Sequence, residues 1–394
     1  MFDLKNKSHV RALLVISIFS FMLAGCSVGP KFLKDGHLGY NESVKVAADR
    51  ELLLNIVRLR YLDTIEFLAA NSISAQTAMT VKLGAELGAD GGDGISLVMP
   101  EMEYSDKPTI TFTPQRSKDF ARRLTAPVEV EILAYLATSG WPIHYLFLLF
   151  GTELNGIDNS PGSSFEEYNK VAQQMRQLQL DGKLLVGFIE KNKILSAPID
   201  AEKLSADDYL AAAKEGYQFS EETKDGNLYL VQKTAQPVVW VKTDGGAADT
   251  LKNSMRIAPL SKPPFFIQQG SGFYRKNIPH ESIVLRTRSL LGSIAYLSQA
   301  VELPPEHKRQ KIAPEPWPYQ QEGNSSLSPI FAIRSSKENP QTPLSVLYRG
   351  YWFYIDETDM SSKTAFLIIA EIYRLAIIEG GAGQVPILTL PVGG

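Results

Sequence analysis

A single cysteine, Cys26, stands in a chain of 394 residues. It follows an apolar run, ALLVISIFSFM at 12–22, and the small residues Ala24 and Gly25. A thiol can become a good nucleophile near neutral pH, which a serine hydroxyl is not. The remaining candidates for chemistry are carboxylates and cations. Asp356, Glu357 and Asp359 form a short acidic cluster. A carboxylate pair there could do acid–base work on a sugar polymer, but Asp359 at a helix start also fits a cap and the positive end of the helix dipole. Asp90 and Asp93 in GADGGDG offer oxygen ligands between glycines. Their spacing matches neither an EF-hand nor a repeated calcium-binding nonapeptide, and a hairpin turn is the plainer reading. Arg58 and Arg60 lie on a strongly apolar helix. A guanidinium within such an arc needs a carboxylate or several carbonyls, so the pair reads as an ion-pair site or as an anion site. Histidines beyond residue 25 stand at 37, 144, 280 and 307, too scattered for a metal motif. His144 lies in an apolar run and reads as a core side chain. There is no G-x-S-x-G, Walker loop or G-x-G-x-x-G; the nearest run, GSG at 270–272, lacks the first glycine. The residues give no catalytic set, metal site or cofactor motif, and a non-enzyme is expected.

Basic residues Lys5, Lys7 and Arg11 precede the apolar run. The run is too short for a spanning helix, which needs about 20 residues, and has the layout of a secretory signal. Leu23-Ala24-Gly25-Cys26 resembles the lipobox of bacterial lipoproteins. That resemblance implies Leu23, Ala24 and Gly25 as signal-peptidase recognition residues. It also implies Cys26 as the diacylglyceryl-modified N-terminus of the mature chain. Ser27 next to it resembles the class sorted to the outer membrane. The implied location is the inner leaflet of that membrane, facing the periplasm, and the implied partner is membrane lipid held through acylated Cys26. The opening CSVGP also resembles lipidated efflux channels of the TolC type; the long heptad helices of that class are missing, so their function is not carried over.

Removal of residues 1–25 leaves 369 residues with a net charge of −5, against −3 for the whole chain. A near-neutral chain of this size lacks the basic face that a nucleic-acid partner requires. Hydrophobic residues make up 44 %, enough for a substantial core. With its one cysteine lipidated, the mature protein forms no internal disulfide.

These groups must be positioned by a mixture of elements. Residues 27–41 are rich in glycine and lack periodicity, and read as a tether. SVKVAADRELLLNIVRLRYLD (43–63) is the clearest helix, apolar almost all round. MTVKLGAEL and the residues from Ile95 to Tyr104 alternate on either side of a glycine turn, which predicts a β-hairpin at about 79–104. KPTITFTP (107–114) reads as a separate short strand. Helices are predicted at 125–140 with Thr125 as cap, at 164–182, at 205–217, at 280–301 and at 361–379. WPIHYLFLLFG (141–151) is a central strand or a buried turn of helix. Strands are predicted at 184–191, in two pieces over 227–242, at 346–356 and at 386–393. Six prolines mark 302–329 as a linker or long loop. The expected class is α+β, with mixed helices and mainly antiparallel strands. The expected organisation is a signal peptide (1–25), a lipidated tether (26–41), a main body (42–301), a proline-rich linker or loop (302–329) and a C-terminal strand-helix-strand segment (330–394).

LLLNIVRLRYLD, KPTITFTP and YRGYWFYID resemble segments of proteobacterial envelope lipoproteins to which no activity is attached. The leading expectation is a non-catalytic binding or scaffolding role in the cell envelope, with an envelope protein or a second copy as partner. The alternatives are a subunit of an oligomeric outer-membrane pore or secretion assembly, formed through hairpin 79–104, and a cell-wall hydrolase using Asp356 or Glu357.

Overall fold

The computed structural model describes residues 28–82, 101–159, 165–221, 227–242, 246–259, 261–270, 280–314 and 330–378. Leu23, Ala24, Gly25 and Cys26 lie outside them, as do residues 83–100 of the predicted hairpin, with Asp90 and Asp93, and the strand expected at 386–393.

Residues Val28–Arg60 form one helix, α1, so the stretch read as an irregular tether is helical from Val28 onward. Pro30 falls in the first turn, where no backbone donor is required. Glycine inside a helix costs about 1 kcal/mol relative to alanine. Once a packed half has nucleated, however, each added residue gains a hydrogen bond. That packed half carries Leu52, Leu53, Ile56 and Val57, all fully buried. The helix stops where Leu62 takes φ +58°, with the amides of Tyr61 and Asp63 both closing on the Arg58 carbonyl at 2.9 Å.

Two long strands follow, β1 (Leu68–Lys82) and β2 (Glu101–Pro114), paired antiparallel from Leu68↔Pro114 to Lys82↔Glu101. The pairing thus reaches further towards the body than the predicted hairpin. KPTITFTP is not a separate strand but the body-proximal half of β2, opposite residues that precede Met79. The two strands form a sheet of their own.

The main body is built on a seven-stranded sheet in the order β4-β3-β9-β8-β7-β5, with β6 added to β7. Its strands are β3 (Gly151–Leu154), β4 (Ile157–Asp158), β5 (Leu184–Ile194), β6 (Tyr217–Ser220), β7 (Tyr229–Val241), β8 (Phe265–Gln269) and β9 (Ile283–Thr287). Only the β8–β9 pair is parallel. Around it pack α2 (Lys118–Thr125), α3 (Val130–Thr138), α4 (Ile143–Phe150), α5 (Phe165–Leu180), α6 (Ala206–Lys214), α7 (Ala247–Ser254) and α8 (Leu290–Ser298). Helix α4 is buried at every position, the fate of an apolar run without a polar face. Gly151 at its end admits no side chain, since a Cβ there would lie 2.0 Å from Tyr168 Oη and 2.6 Å from the Phe147 carbonyl. A short helix α9 (Pro305–Gln310), a three-stranded sheet β10-β12-β11 and α10 (Met360–Ile378) complete the described chain. The strands of that sheet are Arg334–Ser336, Ser345–Tyr348 and Tyr351–Tyr354 for β10, β11 and β12. One hydrophobic core runs from Leu52 of α1 to Tyr373 of α10. The molecule is an α+β protein with mainly antiparallel sheets.

Several local readings are corrected by tertiary pairing. The predicted helix 280–301 is a strand followed by a helix: Ile283–Thr287 is captured between β3 and β8, and Ser289 then caps α8 by accepting from the Gly292 amide at 3.0 Å. Thr125 ends α2 instead of capping the next helix, which begins after Glu129. The two pieces over 227–242 are one strand, β7, that runs through Pro237. Pairing with β6 ends at Gln232 and pairing with β8 begins at Val238, so on that side a residue lacking a donor loses no ladder bond. The aromatic run 346–356 is two strands, turned at Arg349 and Gly350 with φ of +48° and +80°. Of the proline-rich stretch, residues up to Pro314 are described; Leu303 and His307 are buried there, and Val301 bridges Ile333.

Candidate functional site

The β1–β2 ribbon has the most unusual placement in the fold. Its strands span 15 and 14 residues, roughly 45–50 Å at the usual rise per residue. Among the described elements none packs along it. Its base is tied firmly to the body. Glu51 Oε1 of α1 accepts from the Leu68 amide at 2.6 Å, and the Gln115 amide donates to the Phe67 carbonyl at 2.8 Å. Asn55 Nδ2 donates to the Glu66 carbonyl at 2.6 Å, and Arg116 Nε lies 3.0 Å from Glu66. Phe67 is buried against Phe120 and Tyr373, with ring centroids 5.8 Å and 5.2 Å away. Burial raises the Glu51 carboxyl above its ordinary range, opposed by the Leu68 amide and by Arg58. A firmly tied base carries a shaft whose two outer edges have no strand partner among the described residues. Such edges are templates for another strand.

Register and pleat divide the ribbon. Ile73 is opposite Ile110, Ala75 opposite Pro108, Met79 opposite Tyr104 and Val81 opposite Met102. These positions share one face, since side chains alternate with period two. The other face takes the pairs Ser72–Thr111, Ser74–Thr109, Gln76–Lys107, Thr80–Glu103 and Lys82–Glu101. The pair Thr77–Asp106 interrupts the apolar face.

A second feature is a polar cleft of about 420 Å³ at one side of the central sheet, lined by Thr152, Glu153, Asp158, Gln269, Gly270 and Arg286, among others. Glu153 is opposite Asp158 on β4 and opposite Arg286 on β9, which sets the three in one row. Arg286 Nη1 meets Glu153 Oε2 at 2.9 Å. Gln269 accepts from the Val130 amide at 3.1 Å and donates to Thr287 Oγ1 at 2.8 Å. A Cβ at Gly270 would lie 2.5 Å from Arg286 Cγ, so the missing side chain admits the arginine stem. His280 is nearby: burial lowers its pKa, and the Glu153 charge works against that shift. Sequence reasoning missed this row. Its one signal was Asn155-Gly156 between Glu153 and Asp158, a hairpin dipeptide whose residues take φ +46° and +79°.

The described groups singled out from sequence are not gathered into one site. Arg60 is 2 % exposed and donates from Nη1 to the Pro314 carbonyl at 2.8 Å. Arg58 Nη1 donates to Asn55 Oδ1 at 3.2 Å. The two side chains therefore reach different partners. Asp356 Oδ1 accepts from both the amide and the hydroxyl of Thr358, at 2.8 Å and 2.6 Å. Those bonds hold its carboxyl below the usual range, which suits a fixed anion more than a proton donor. Glu357 pairs with Lys363 at 2.7 Å, and Asp359 caps α10 by accepting from the Ser362 amide at 3.0 Å. His144 is buried, its Nδ1 has no partner among the described residues, and desolvation lowers its pKa to about 4. His307 joins α9 to the turn that follows α1 through Nδ1 and the Tyr61 hydroxyl at 2.6 Å, and its pKa too is lowered by burial. His37 lies on α1. Among the described residues no group of three or more His, Cys, Asp or Glu is placed to hold a metal ion, and no helix is long and apolar enough to cross a membrane. No family model, curated protein or solved structure matches the chain.

Proposed function

We propose that the chain is a lipid-anchored protein of the bacterial outer membrane, facing the periplasm, with a non-catalytic binding or scaffolding role. The location rests on the sequence Leu23-Ala24-Gly25-Cys26 behind an apolar signal. Two or three acyl chains on Cys26 would hold the protein firmly, at about 0.8 kcal/mol per buried CH₂. The role rests on one observation: the β1–β2 ribbon leaves a body that grips its base and offers two long edges with no described partner. Two measurements test the proposal. Labelled palmitate should enter the protein and be lost in Cys26→Ser, which should also leave the membrane fraction. Cross-linking in cells should give a product with the intact chain and none after deletion of 72–111. Palmitate-free protein, or an unchanged cross-linked product, would refute the location or the role respectively.

A second reading, a subunit of an oligomeric outer-membrane pore, is supported by the division of the ribbon into an apolar and a polar face. One hairpin cannot sit in a bilayer with open edges, but several could close a barrel. A ring-shaped oligomer in detergent that disappears with the same deletion would favour this reading. A monomer would refute it.

A further inference from the structure

The central sheet is covered unevenly at its β5–β7 end. On one face Leu184, Val239 and Val241 are buried, and Phe188 stacks on Tyr135 of α3 at 4.3 Å. On the other face Leu185 sits directly opposite Trp240, and the two are 51 % and 48 % exposed. Ile189, on the same face, is 37 % exposed. Between them Gly187 is opposite Val238; Val238 itself is buried, but a Cβ added to Gly187 would meet no described atom within 4 Å, so the opening lies over β5 and at Trp240. The period of two carries this open face along β5 to Lys191 and Lys193, both exposed. Lys191 Nζ lies 5.5 Å from the ring of Phe266, which is opposite Val238 on β8. No aspartate or glutamate occupies this face from 185 to 193 on β5 or from 232 to 240 on β7. In a chain of net charge −3, these rows carry lysines and no acid, although α6 beside them on β6 carries Asp207 and Asp208.

We infer that this face is a docking surface for an anionic phospholipid bilayer, with Leu185, Ile189 and Trp240 entering the headgroup–acyl boundary and Lys191 and Lys193 meeting phosphates. The charge distribution selects that occupant. A tryptophan with a polar N–H and an apolar body suits the boundary, aliphatic neighbours extend the apolar patch, and lysines at one end match the negative lipid surface. Helix α6 stands over β6 on this side, with Tyr209 against Phe219 at 4.9 Å, so the patch offered to a bilayer is the β5–β7 part of the face beyond it. The inference rests on the membrane-facing reading for its setting only; the face itself is independent of Cys26.

The test uses the full lipidated chain in vesicles of phosphatidylethanolamine and phosphatidylglycerol with brominated acyl chains. Trp240, one of four tryptophans, is read by difference from Trp240→Phe. The expected result is strong quenching of Trp240, lost in phosphatidylcholine vesicles and in Lys191→Gln/Lys193→Gln. For the unanchored Cys26→Ser chain the double variant should lower partitioning about 25-fold, at about fivefold per lysine near an anionic surface. Protein that floats with vesicles while Trp240 stays accessible to acrylamide would overturn the docking face and leave the anchor standing. Protein that fails to carry palmitate would overturn the anchor alone. In that case Trp240 quenching on addition of anionic vesicles supports the face, and its absence overturns it.

Discussion

Replacement of Arg288 by alanine should destabilise the body by about 3–4 kcal/mol, a magnitude set by its helix-end hydrogen bonds. Its guanidinium sits at the C-terminal end of the buried helix α4. It donates to the carbonyls of Leu148 at 3.2 Å, Leu149 at 3.3 Å and Gly151 at 2.6 Å, and also to that of Asn159. It lies over the Tyr296 ring, 3.9 Å from the centroid. A cation at a partly buried helix C-terminus contributes up to about 2 kcal/mol, and charged hydrogen bonds about 1.5–3 kcal/mol each. The sum is not reached, because three of the four carbonyls keep a second donor. Asn159 Nδ2 serves Leu148 and Gly151 at 2.9 Å and 2.7 Å, and Ser293 Oγ serves Leu149 at 3.1 Å. This overlap predicts non-additivity. In Arg288→Ala/Asn159→Ala two buried carbonyls lose both donors, so the double variant should cost at least about 1 kcal/mol more than the two singles together. Urea unfolding followed by far-ultraviolet circular dichroism measures all three variants. A loss below about 1 kcal/mol for Arg288→Ala, or additivity within about 0.5 kcal/mol, would refute the account of how α4 is terminated.

Other perturbations follow from single contacts. Gly270→Val drives a side chain into Arg286 and should cost about 1–3 kcal/mol, read as a lower urea midpoint at unchanged slope. His144 has a folded pKa of about 4 against an ordinary value of 6.5, so the unfolded chain binds the extra proton between these values. Its contribution is therefore complete above pH 6.5 and is lost as the pH falls towards 4, with a slope of at most about 1.4 kcal/mol per pH unit. His144→Phe should remove that slope in paired unfolding curves, and an unchanged slope would refute the assignment. Ser205 and Asp208 form a reciprocal capping box on α6. Ser205→Ala should cost about 1 kcal/mol and speed amide exchange in the first turn of that helix without affecting α5.

Elements whose signal is local were legible from the chain itself. The run 164–182 contains a helix that stops before Gly182, at φ +64°, and SADDYLAAAKEGY holds its own cap at Ser205. Of the alternation that predicted a hairpin at 79–104, the described ends 79–82 and 101–104 pair antiparallel, as a face with apolar residues at every second position requires. Asn155-Gly156 and Arg349-Gly350 also carried local turn signals, although the reading of 346–356 as one strand overlooked the second.

Pairing partners distant in sequence decided the rest. Ile283, Val284 and Leu285 are apolar in a row, and such a run fits a buried helix or a central strand equally well. It became β9 because β3 and β8 stand on either side of it. The row Asp158–Glu153–Arg286 exists only once those strands are in register, and no spacing in the chain announces it. The exposure of Trp240 is of the same kind. Its alternation with Val239 and Val241 says that two faces differ, while only the packing of α3 fixes which face is covered. The sequence alone therefore determined the lipobox resemblance and the local periods, which depend on neighbours along the chain. Tertiary structure decided which groups meet, because strand order and burial are properties of contacts between segments that the chain separates.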